Sequence, residues 1–297
     1  MENTQKIRVS IIILSWNTAK LLRDCLKSLE FEIFNLKFEI IVVDNGSQDK
    51  SAEMVKKEFP AVNLIINKNN LGFSKANNQA AKIAKGEYLF FLNSDTIVKE
   101  SALEKLIDFL DHNQEVGAVS PLLLNEDGSY QIDPCFLRFP SPLRALVYYN
   151  KYLRTLFTKI FPNYLFSVSD YTNVSQVEQI PGAALMIRKN LFKQIDGFDE
   201  KFPIYFEDVD LSFQINKAGY KLFVVPDARI IHLGRKSIEP VIKKEGLDKF
   251  LFLNFNSLFL FCEKNYSKTK AQLIKWAIFF NLLLGLKLGL LKQLINQ

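Results

Sequence analysis

Short apolar runs that alternate with helical segments constrain the fold of this chain more than any other feature. Residues 9–16, 39–43, 62–66 and 88–92 have the length of buried strands and are rich in β-branched or aromatic side chains. The segments between them repeat apolar residues at helical spacing. Alternating strands and helices indicate a parallel sheet with crossover connections. We therefore predict an α/β fold for the amino-terminal half.

Later segments continue this pattern with less regularity. Strands are predicted at residues 116–120, 183–187, 221–225 and 228–232, and helices at about residues 51–59, 99–111 and 189–195. A helix is also expected to begin at the acidic segment near Asp208 and to end at Gly219.

Polar residues end two of the predicted strands. In an open parallel sheet ligands bind beyond the carboxyl ends of the strands, and Asp44 lies at such an end. Its carboxylate can accept a hydrogen bond from a ribose hydroxyl or a base N–H, or it can form an Asx turn. Asn93 and Asp95, two residues apart, offer oxygen ligands to a hard divalent cation, although this short pattern is more often structural.

The amide-rich segment 67–78 surrounds Gly72 and suits either recognition of a polar heterocycle or capping of a turn. The chain has no G-x-G-x-x-G after its first strand and no G-x-x-x-x-G-K-[ST]. Dinucleotide-binding and P-loop functions therefore lose support.

Three acids lie within four residues, at Glu207, Asp208 and Asp210. Like charges this close repel each other, and burial increases the cost. Such a cluster indicates a site that binds a cation or a substrate hydroxyl, or a solvent-exposed helix start that the helix dipole stabilises. The cluster alone leaves both interpretations open.

The composition excludes some classes of function. The chain has 297 residues and a formal charge of +6, which is below the basic character of a nucleic-acid binder and fits an anionic substrate or membrane surface. Its three cysteines are far apart and odd in number, which disfavours a disulfide framework or a structural zinc site. Residues 1–8 lack the pattern of a secretory signal, so we expect a cytoplasmic protein.

Seven motifs in order give a more specific indication. The chain resembles the family 2 glycosyltransferases, and within them the bacterial rhamnosyltransferase-like enzymes. The resemblance covers about residues 8–235 and rests on SIIILSWN at 10–17, VVDNGS at 42–47, NNLGF at 69–73, NSD at 93–95, PGAA at 181–184, GFDE at 197–200 and EDVDL at 207–211.

The resemblance implies a GT-A fold and transfer of a sugar, with inversion, from a nucleoside diphosphate donor. It implies that Asp208 is the general base, that Glu207 orients the acceptor, and that Asp95 and His232 hold Mg²⁺ or Mn²⁺. The residues implied to bind the nucleotide are Ser15, Asn17, Asp44, Asn77, Asn93 and Ser94. Asp210 is expected to be a structural residue at the surface. Arg235 and Lys236 are candidates to neutralise the diphosphate.

Two positions depart from the family pattern. The metal motif often has two aspartates, but here position 93 is Asn. This difference implies weaker metal binding, or binding that relies on His232 and the substrate phosphates. Gln214 stands where related sequences often have Arg, which is expected to change local ion pairing more than the chemistry.

The carboxyl-terminal half has two unusual segments. Residues 134–171 are aromatic and basic, and they are interpreted as a helical flap, with glycan stacking or membrane contact as alternatives. Residues 246–297 form predicted apolar helices whose last run, with Lys287 inside it, is shorter than the about 20 residues of a comfortable span. The favoured interpretation is a helix in the membrane interface, with Lys275, Lys287 and Lys292 at the headgroups, and a homodimer interface is the alternative.

Together these observations predict a mostly parallel mixed sheet in a GT-A catalytic domain at 1–240, with an acceptor-side insertion at 133–175 and a helical tail at 241–297. The expected protein is a metal-dependent inverting glycosyltransferase, peripheral on the inner face of the cell membrane. It would use a dTDP- or UDP-linked sugar, with rhamnose as one candidate, and a glycan or lipid-linked glycan acceptor, without nucleic acid. The alternatives are a weakly catalytic nucleotide-sugar or glycan-binding subunit of a membrane assembly, and a nucleotidyltransferase.

Overall fold

The computed structural model describes residues 6–30, 37–131, 136–161, 165, 172–203, 205–234, 246–284 and 294. Within these residues nine strands form one mixed sheet. Their bounds are β1 Val9–Ser15, β2 Phe38–Asp44, β3 Asn63–Ile66, β4 Tyr88–Asn93, β5 Thr96–Val98, β6 Val116–Leu124, β7 Ser175–Val177, β8 Ala184–Arg188 and β9 Lys221–His232. The strand order is β3-β2-β1-β4-β8-β6-β9-β5, and β7 pairs with β9.

Helices cover the sheet. Their bounds are α1 Ala19–Leu29, α2 Ser51–Glu58, α3 Phe73–Ile83, α4 Ala102–His112, α5 Pro142–Tyr149, α6 Lys151–Ile160, α7 Lys189–Gln194, α8 Glu207–Lys217, α9 Leu247–Asn265 and α10 Lys268–Leu284. The helical spacing of Leu21, Leu22, Cys25, Leu26 and Leu29 predicts one apolar face of α1, and the last four of these residues are buried, whereas Leu21 is half-buried.

The amino-terminal half is the predicted parallel α/β unit. β1 pairs in parallel with β2 and β4, and β2 pairs in parallel with β3. Beyond β4 the sheet becomes mixed, because β8 runs antiparallel to both β4 and β6. The predicted mixed α/β architecture is therefore confirmed.

The prediction of two strands at 221–225 and 228–232 is wrong, because both belong to β9. The ladder with β6 pairs Pro121 with Val225 and then Leu122 with Arg229, so residues 226–228 lie outside it. Pro226 has no N–H to donate to a ladder, which explains why the pairing is interrupted there. The short strands β5 and β7 were not predicted.

The apolar side chains form two main clusters. The larger one fills both faces of the sheet and includes β1, β4, β6 and the inner faces of α1 and α4. The second joins α9 and α10 to α5 and to the outer side of α8, through Phe202, Phe206 and Phe213 among others. Many of the 26 phenylalanines of the chain are thus used to attach the carboxyl-terminal helices to the sheet unit.

The predicted flap and tail can be followed in part. The flap contains α5 and α6, and the predicted tail helices correspond to α9 and α10. Within the described part of the chain, no helix combines the length and the apolar character needed to cross a membrane. The predictions for Cys135, Arg235, Lys236, Lys287 and Lys292 lie outside the described residues.

Candidate active site

Three parallel strands bring predicted site residues to one edge of the sheet. Ser15 pairs with Asp44 across β1 and β2, and Leu14 pairs with Asn93 across β1 and β4. These positions are at the carboxyl ends of the three strands, where open α/β sheets bind their ligands. Asp95 follows Asn93 by two residues at the same edge.

Asp44 lines a cavity of about 310 Å³, whose wall also includes Gln48, Glu53, Lys56, Asn67 and Lys68. The Asp44 side chain is buried, and its Oδ1 accepts a hydrogen bond from the Ser47 N–H at 2.9 Å. Its Oδ2 is also buried and has no hydrogen-bond partner among the described residues. A buried carboxylate oxygen without a donor is costly, so a ligand N–H or O–H at this atom would remove an existing penalty.

Asn17 makes hydrogen bonds to the loop after β2, which forms part of the cavity wall. Its backbone N–H donates to Ser47 Oγ at 2.9 Å, and its Oδ1 accepts from the Gln48 N–H at 2.8 Å. Asn17 has a φ of 55°, a left-handed conformation that Asn adopts more readily than most residues. Its observed contacts thus position the loop after β2, and direct contact with a nucleotide stays a prediction.

Ser15 and Ser94 belong to a chain of buried hydroxyl groups. Ser15 Oγ lies 2.9 Å from Thr18 Oγ1, which lies 3.0 Å from Ser94 Oγ. Thr18 precedes α1, and its hydroxyl makes these contacts instead of capping the helix. The three side chains tie the ends of β1 and β4 together, so their observed contribution is to position Asp95.

A network of amides joins the loops after β2 and β3. Asn45 Oδ1 accepts from Asn67 Nδ2 at 3.1 Å and from the Leu71 N–H at 3.0 Å. Asn45 Nδ2 donates to Asn70 Oδ1 at 2.9 Å, and the same oxygen accepts from the Gly72 N–H. Of the two interpretations of the amide-rich segment, turn capping is the one these contacts support. Sequence reasoning missed Asn45, and the amide density was the signal for it.

Asn77 and Asn78 have different contacts. Asn77 is buried in α3, and its Nδ2 donates to the Phe73 carbonyl at 3.0 Å, within its own helix. Asn78 reaches the segment before the acid cluster, where its Oδ1 accepts from the Phe198 N–H at 3.1 Å and its Nδ2 donates to the Phe198 carbonyl at 2.8 Å. Asn78 is therefore a positioning residue, and a nucleotide contact for Asn77 stays a prediction.

Asp95 and His232 face each other across β5 and β9. The Thr96–His232 pair starts the antiparallel ladder, and the Leu233 N–H donates to the Asp95 carbonyl at 2.9 Å. This pairing leaves His232 Nε2 3.5 Å from Asp95 Oδ1. Both Asp95 carboxylate oxygens are buried and have no hydrogen-bond partner among the described residues.

This pair fits a divalent metal ion. His232 Nδ1 lies 2.7 Å from Gln131 Oε1. An amide oxygen only accepts hydrogen bonds, so Nδ1 donates to Gln131, and Nε2 is the ring nitrogen that faces Asp95 and is available as a metal ligand. No cluster of three or more His, Cys, Asp or Glu side chains suited to a metal occurs in the described part of the chain. Two protein ligands agree with Mg²⁺ sites that also use water and substrate phosphates.

The acid cluster begins directly after a strained turn. Tyr205 and Phe206 have φ values of 56° and 68°, and α8 begins at Glu207. Two successive bulky residues in the left-handed region cost free energy that the surroundings must supply. Phe206 packs against Phe261 of α9 at 5.9 Å between ring centroids, which is part of that support. The turn holds the acids at a fixed place relative to the sheet.

Glu207 and Asp208 carry raised pKa values. Burial raises the pKa of Glu207 to about 8, and the neighbouring Asp208 charge adds to the shift. Burial also raises the pKa of Asp208, but hydrogen bonds from the Gly182 and Val209 N–H groups, both at 2.8 Å, oppose that shift. Glu207 Oε2 is buried with no partner among the described residues. Two backbone N–H donors thus stabilise the anion of Asp208, whereas burial and the Asp208 charge favour the protonated form of Glu207.

Asp208 is connected to the end of β4, near Asp95, through the residues that precede β8. Its Oδ2 accepts from Gly182 N–H, and the next residue, Ala183, accepts a hydrogen bond from the Asn93 N–H at 2.9 Å. A Cβ on residue 182 would lie 3.4 Å from Asp208 Oδ2, which is a van der Waals contact, so the carboxylate lies directly against this backbone. Asp208 and Asp95 therefore border the same end of β4.

The expectation of a surface position for Asp210 is wrong. Asp210 is 1% exposed, its Oδ2 lies 2.8 Å from Lys264 Nζ, and its Oδ1 accepts from Asn265 Nδ2 at 2.8 Å. Lys264 also pairs with Asp199 at 2.7 Å. Lys264 thus neutralises Asp210, and Asn265 donates a hydrogen bond to it. Both residues are distant from Asp210 in the sequence, so no local pattern predicts these contacts. The cluster as a whole is not a solvent-exposed helix start, since Glu207 is also buried.

Comparison with known proteins adds a family assignment to this geometry. Residues 10–172 match the family model described as Glycosyl transferase family 2. An N-acetylglucosaminyl-diphospho-decaprenol L-rhamnosyltransferase of Mycobacterium tuberculosis is 27% identical over 65% of this chain and 66% of its own length. An O-antigen biosynthesis protein of Myxococcus xanthus is 27% identical over 76% of this chain and 17% of its own length. The chain thus spans about two thirds or less of these relatives.

Solved structures share the fold at low identity. A mannosyltransferase from Pyrobaculum calidifontis in complex with GDP-Man and Mn²⁺ superposes with a TM-score of 0.59 and 17% identity, covering 93% of this chain and 73% of that chain. S. aureus TarS in complex with UDP gives a TM-score of 0.56 and 18% identity, covering 93% and 70%. GalNAc-T7 with UDP, GalNAc and Mn²⁺ gives 0.57 and 18%, covering 77% and 44%.

Proposed function

Because this chain belongs to glycosyl transferase family 2 and has the GT-A fold, we propose that it transfers a sugar from a nucleoside diphosphate donor to a hydroxyl of a lipid-linked or cell-surface glycan. The observation that carries the proposal is the alignment of three carboxylates, Asp44, Asp95 and Asp208, along one edge of the sheet. Asp44 and Asp95 also have buried oxygens without partners among the described residues. Each position suits one part of such a reaction.

The nucleoside would occupy the Asp44 cavity. Asp44 Oδ2 would accept a hydrogen bond from a base N–H or a ribose hydroxyl, in agreement with its buried, unpaired state. The cavity wall has two basic side chains, Lys56 and Lys68, and two acidic ones, Asp44 and Glu53, so its formal charge is balanced, as suits an uncharged nucleoside. Asn17 and the hydroxyl chain from Ser15 to Ser94 would keep the two loops in place around it.

The diphosphate would lie at Asp95 and His232. These two side chains would hold Mg²⁺ or Mn²⁺, with Asn93 beside them at the end of β4. When bound, the ion neutralises the negative charge that develops on the departing diphosphate. Gln131 fixes the ring orientation of His232 and is therefore a positioning residue of this site.

The acceptor hydroxyl would be activated at Asp208. In the proposed step the hydroxyl oxygen forms a bond to the anomeric carbon as the bond from that carbon to the diphosphate breaks. The hydroxyl proton moves to the Asp208 carboxylate and the bonding electron pair leaves with the diphosphate, so the configuration inverts. A raised pKa makes Asp208 a better proton acceptor than an ordinary aspartate. Glu207, protonated beside it, would donate a hydrogen bond to the acceptor.

Rhamnose is one donor sugar that the mycobacterial relative suggests, and the name of that enzyme also suggests a lipid diphosphate acceptor. A dTDP- or UDP-linked sugar is proposed as the donor. A lipid-linked acceptor would bring the protein to the inner face of the cell membrane. A panel of nucleotide sugars, tested by thermal stabilisation with and without Mn²⁺, would identify the donor, since a ligand that binds the folded state raises its stability as occupancy increases.

The test of the base is Asp208→Asn. We expect turnover of the donor to fall by roughly 100-fold or more while the donor is still bound, because the amide cannot take up a proton but keeps the shape of the side chain. The matched control is Asp196→Asn, an exposed position with a φ of 61° that Asn tolerates. Full turnover by Asp208→Asn would overturn the assignment of the base.

A further inference from the structure

We propose that α6 and α10 form a docking surface for an anionic lipid bilayer. This inference concerns attachment of the protein, and it rests on the proposed function only because a lipid-linked acceptor lies at a membrane. Its physical basis is independent of the reaction, since it depends on two exposed apolar stripes and on the charges beside them.

The first stripe lies along α10. Exposed apolar side chains recur there at spacings of three, four, three and one residues, which places them on one side of a helix. They are Leu273, Trp276, Phe280, Leu283 and Leu284, and each is more than half exposed. The opposite side of α10 is already used, because Ile274, Ile278 and Leu282 are buried in the second apolar cluster. The exposed stripe therefore takes no part in the packing seen among the described residues.

The second stripe lies along α6. Tyr152, Leu156 and Ile160 follow one another at four-residue spacing and are 85%, 51% and 57% exposed. Phe161, just after the helix, is 56% exposed. A neighbouring side of α6 packs inward through Leu153 and Phe157. Contiguous exposed apolar patches of this kind mark interaction sites rather than ordinary surface.

One helix supports both stripes. α5 packs against α6 and also against α10. Its Leu146 carbonyl accepts a hydrogen bond from Asn281 Nδ2 of α10 at 3.0 Å. The two stripes thus belong to one packed unit of three helices.

The charges on this three-helix unit favour binding to an anionic bilayer over association with a second copy of the chain. Residues 142–161 and 268–284 contain no Asp or Glu, and their basic residues are Arg144, Lys151, Arg154, Lys159, Lys268, Lys270 and Lys275. Lys275 pairs with Glu263 and Arg144 with Glu178, but the segments still supply only positive charge. Two copies facing each other would oppose like charges, whereas anionic headgroups would neutralise them.

The aromatic residues agree with a position in the interface. Trp276 and Tyr152 are the most exposed members of their stripes, and both types of side chain prefer the headgroup level of a bilayer. Among the residues that the structure describes, no helix is long and apolar enough to cross a bilayer. One side of α10 packs within the chain and the other exposes an apolar stripe, and its charged residues are all basic, which agrees with a position in the plane of the interface.

The test is sedimentation of the full chain with lipid vesicles. We expect binding to vesicles of phosphatidylcholine with roughly a third phosphatidylglycerol, and much weaker binding to phosphatidylcholine alone. The double variant Trp276→Ser/Phe280→Ser should bind the anionic vesicles about tenfold more weakly, because two anchoring side chains are lost. Tyr152→Ser/Leu156→Ser tests the second stripe in the same way, and it also serves if the first variant folds poorly.

The matched control is Ile83→Ser/Val174→Ser, which removes two exposed apolar side chains outside both stripes, at 52% and 46% exposure. It should bind vesicles as the wild type does. Equal binding by the stripe variants, no binding by the wild type, or a dimer in solution that the stripe variants dissociate without any vesicle binding would each overturn the proposal. Hydrolysis of the nucleotide sugar, measured without vesicles, separates this outcome from a failure of the proposed function.

Discussion

Replacing Lys264 with methionine should destabilise the protein through Asp210. The Asp210 side chain is only 2% exposed and lies 2.8 Å from Lys264 Nζ. Removing one partner of a fully buried ion pair costs about 3–5 kcal/mol, because the remaining charge is left without compensation. Lys264 is 35% exposed and Asn265 Nδ2 still donates to Asp210, so we discount the cost to about 2–3 kcal/mol.

The measurement is the free energy of unfolding from urea titration at pH 7, followed by the fluorescence of the two tryptophans. The double variant Lys264→Met/Asp210→Asn is the matched control, since it leaves no unpaired charge at position 210, while Asp199 loses Lys264 equally in both variants. We expect it to recover at least about 1 kcal/mol of the loss, which is the coupling energy of the pair. A loss below about 0.5 kcal/mol for Lys264→Met, or no recovery in the double variant, would refute the reasoning.

Two further predictions concern single contacts of the site. The pKa of Glu207 in the folded protein, about 8, exceeds the unfolded value of 4.5, so the folded state binds more protons between these values and loses stability as pH rises through this window. Between pH 5 and pH 7 this effect should lower the free energy of unfolding of the wild type by roughly 2 kcal/mol, and Glu207→Gln should lack that decrease. Parallel pH profiles of variant and wild type would contradict this prediction. Gln131→Leu should weaken Mn²⁺ binding in the presence of UDP by about 10–100-fold, measured by electron paramagnetic resonance, whereas Gln131→Glu keeps an acceptor for His232 Nδ1 and should not weaken it. Equal Mn²⁺ affinity in Gln131→Leu and wild type would remove Gln131 from the site.

The sheet and the edge that carries the site follow from local patterns. β1, β2 and β4 are continuous apolar runs, and the polar residue that ends each run marks the carboxyl end of a strand. The amino-acid sequence alone therefore suffices to place Asp44 and Asn93 at one edge of the sheet. The short strands β5 and β7 have three residues each, too few for a periodic pattern.

The electrostatic environment of the acid cluster could not be predicted in the same way. Local sequence gives Asp210 the helix-start position that usually faces solvent. Its partners Lys264 and Asn265 lie 54 and 55 residues further along the chain, so only tertiary packing brings them together. The left-handed turn at Tyr205 and Phe206 is also hidden, because neither residue type favours that conformation.

The loop contacts around the Asp44 cavity are an intermediate case. The amide-rich segment 67–78 indicates side chains that hydrogen-bond to the backbone of a turn, but the sequence does not show which other residue they contact. Asn45 is that residue, and Gly46 beside it has a φ of 81° and no room for a Cβ, which would lie 2.8 Å from the Asn69 carbonyl carbon. The glycine in the VVDNGS segment is thus needed for loop packing as well as for turn geometry.

Helix α8 has one side in each of the two apolar clusters. Leu211 and Ile215 pack with the sheet, whereas Val209 and Phe213 pack with α9 and α10. The Asp44 cavity is built entirely by the sheet unit. Substitutions in the carboxyl-terminal helices can therefore shift Glu207 and Asp208 without changing the Asp44 cavity, so the proposed acceptor and nucleotide specificities can evolve separately.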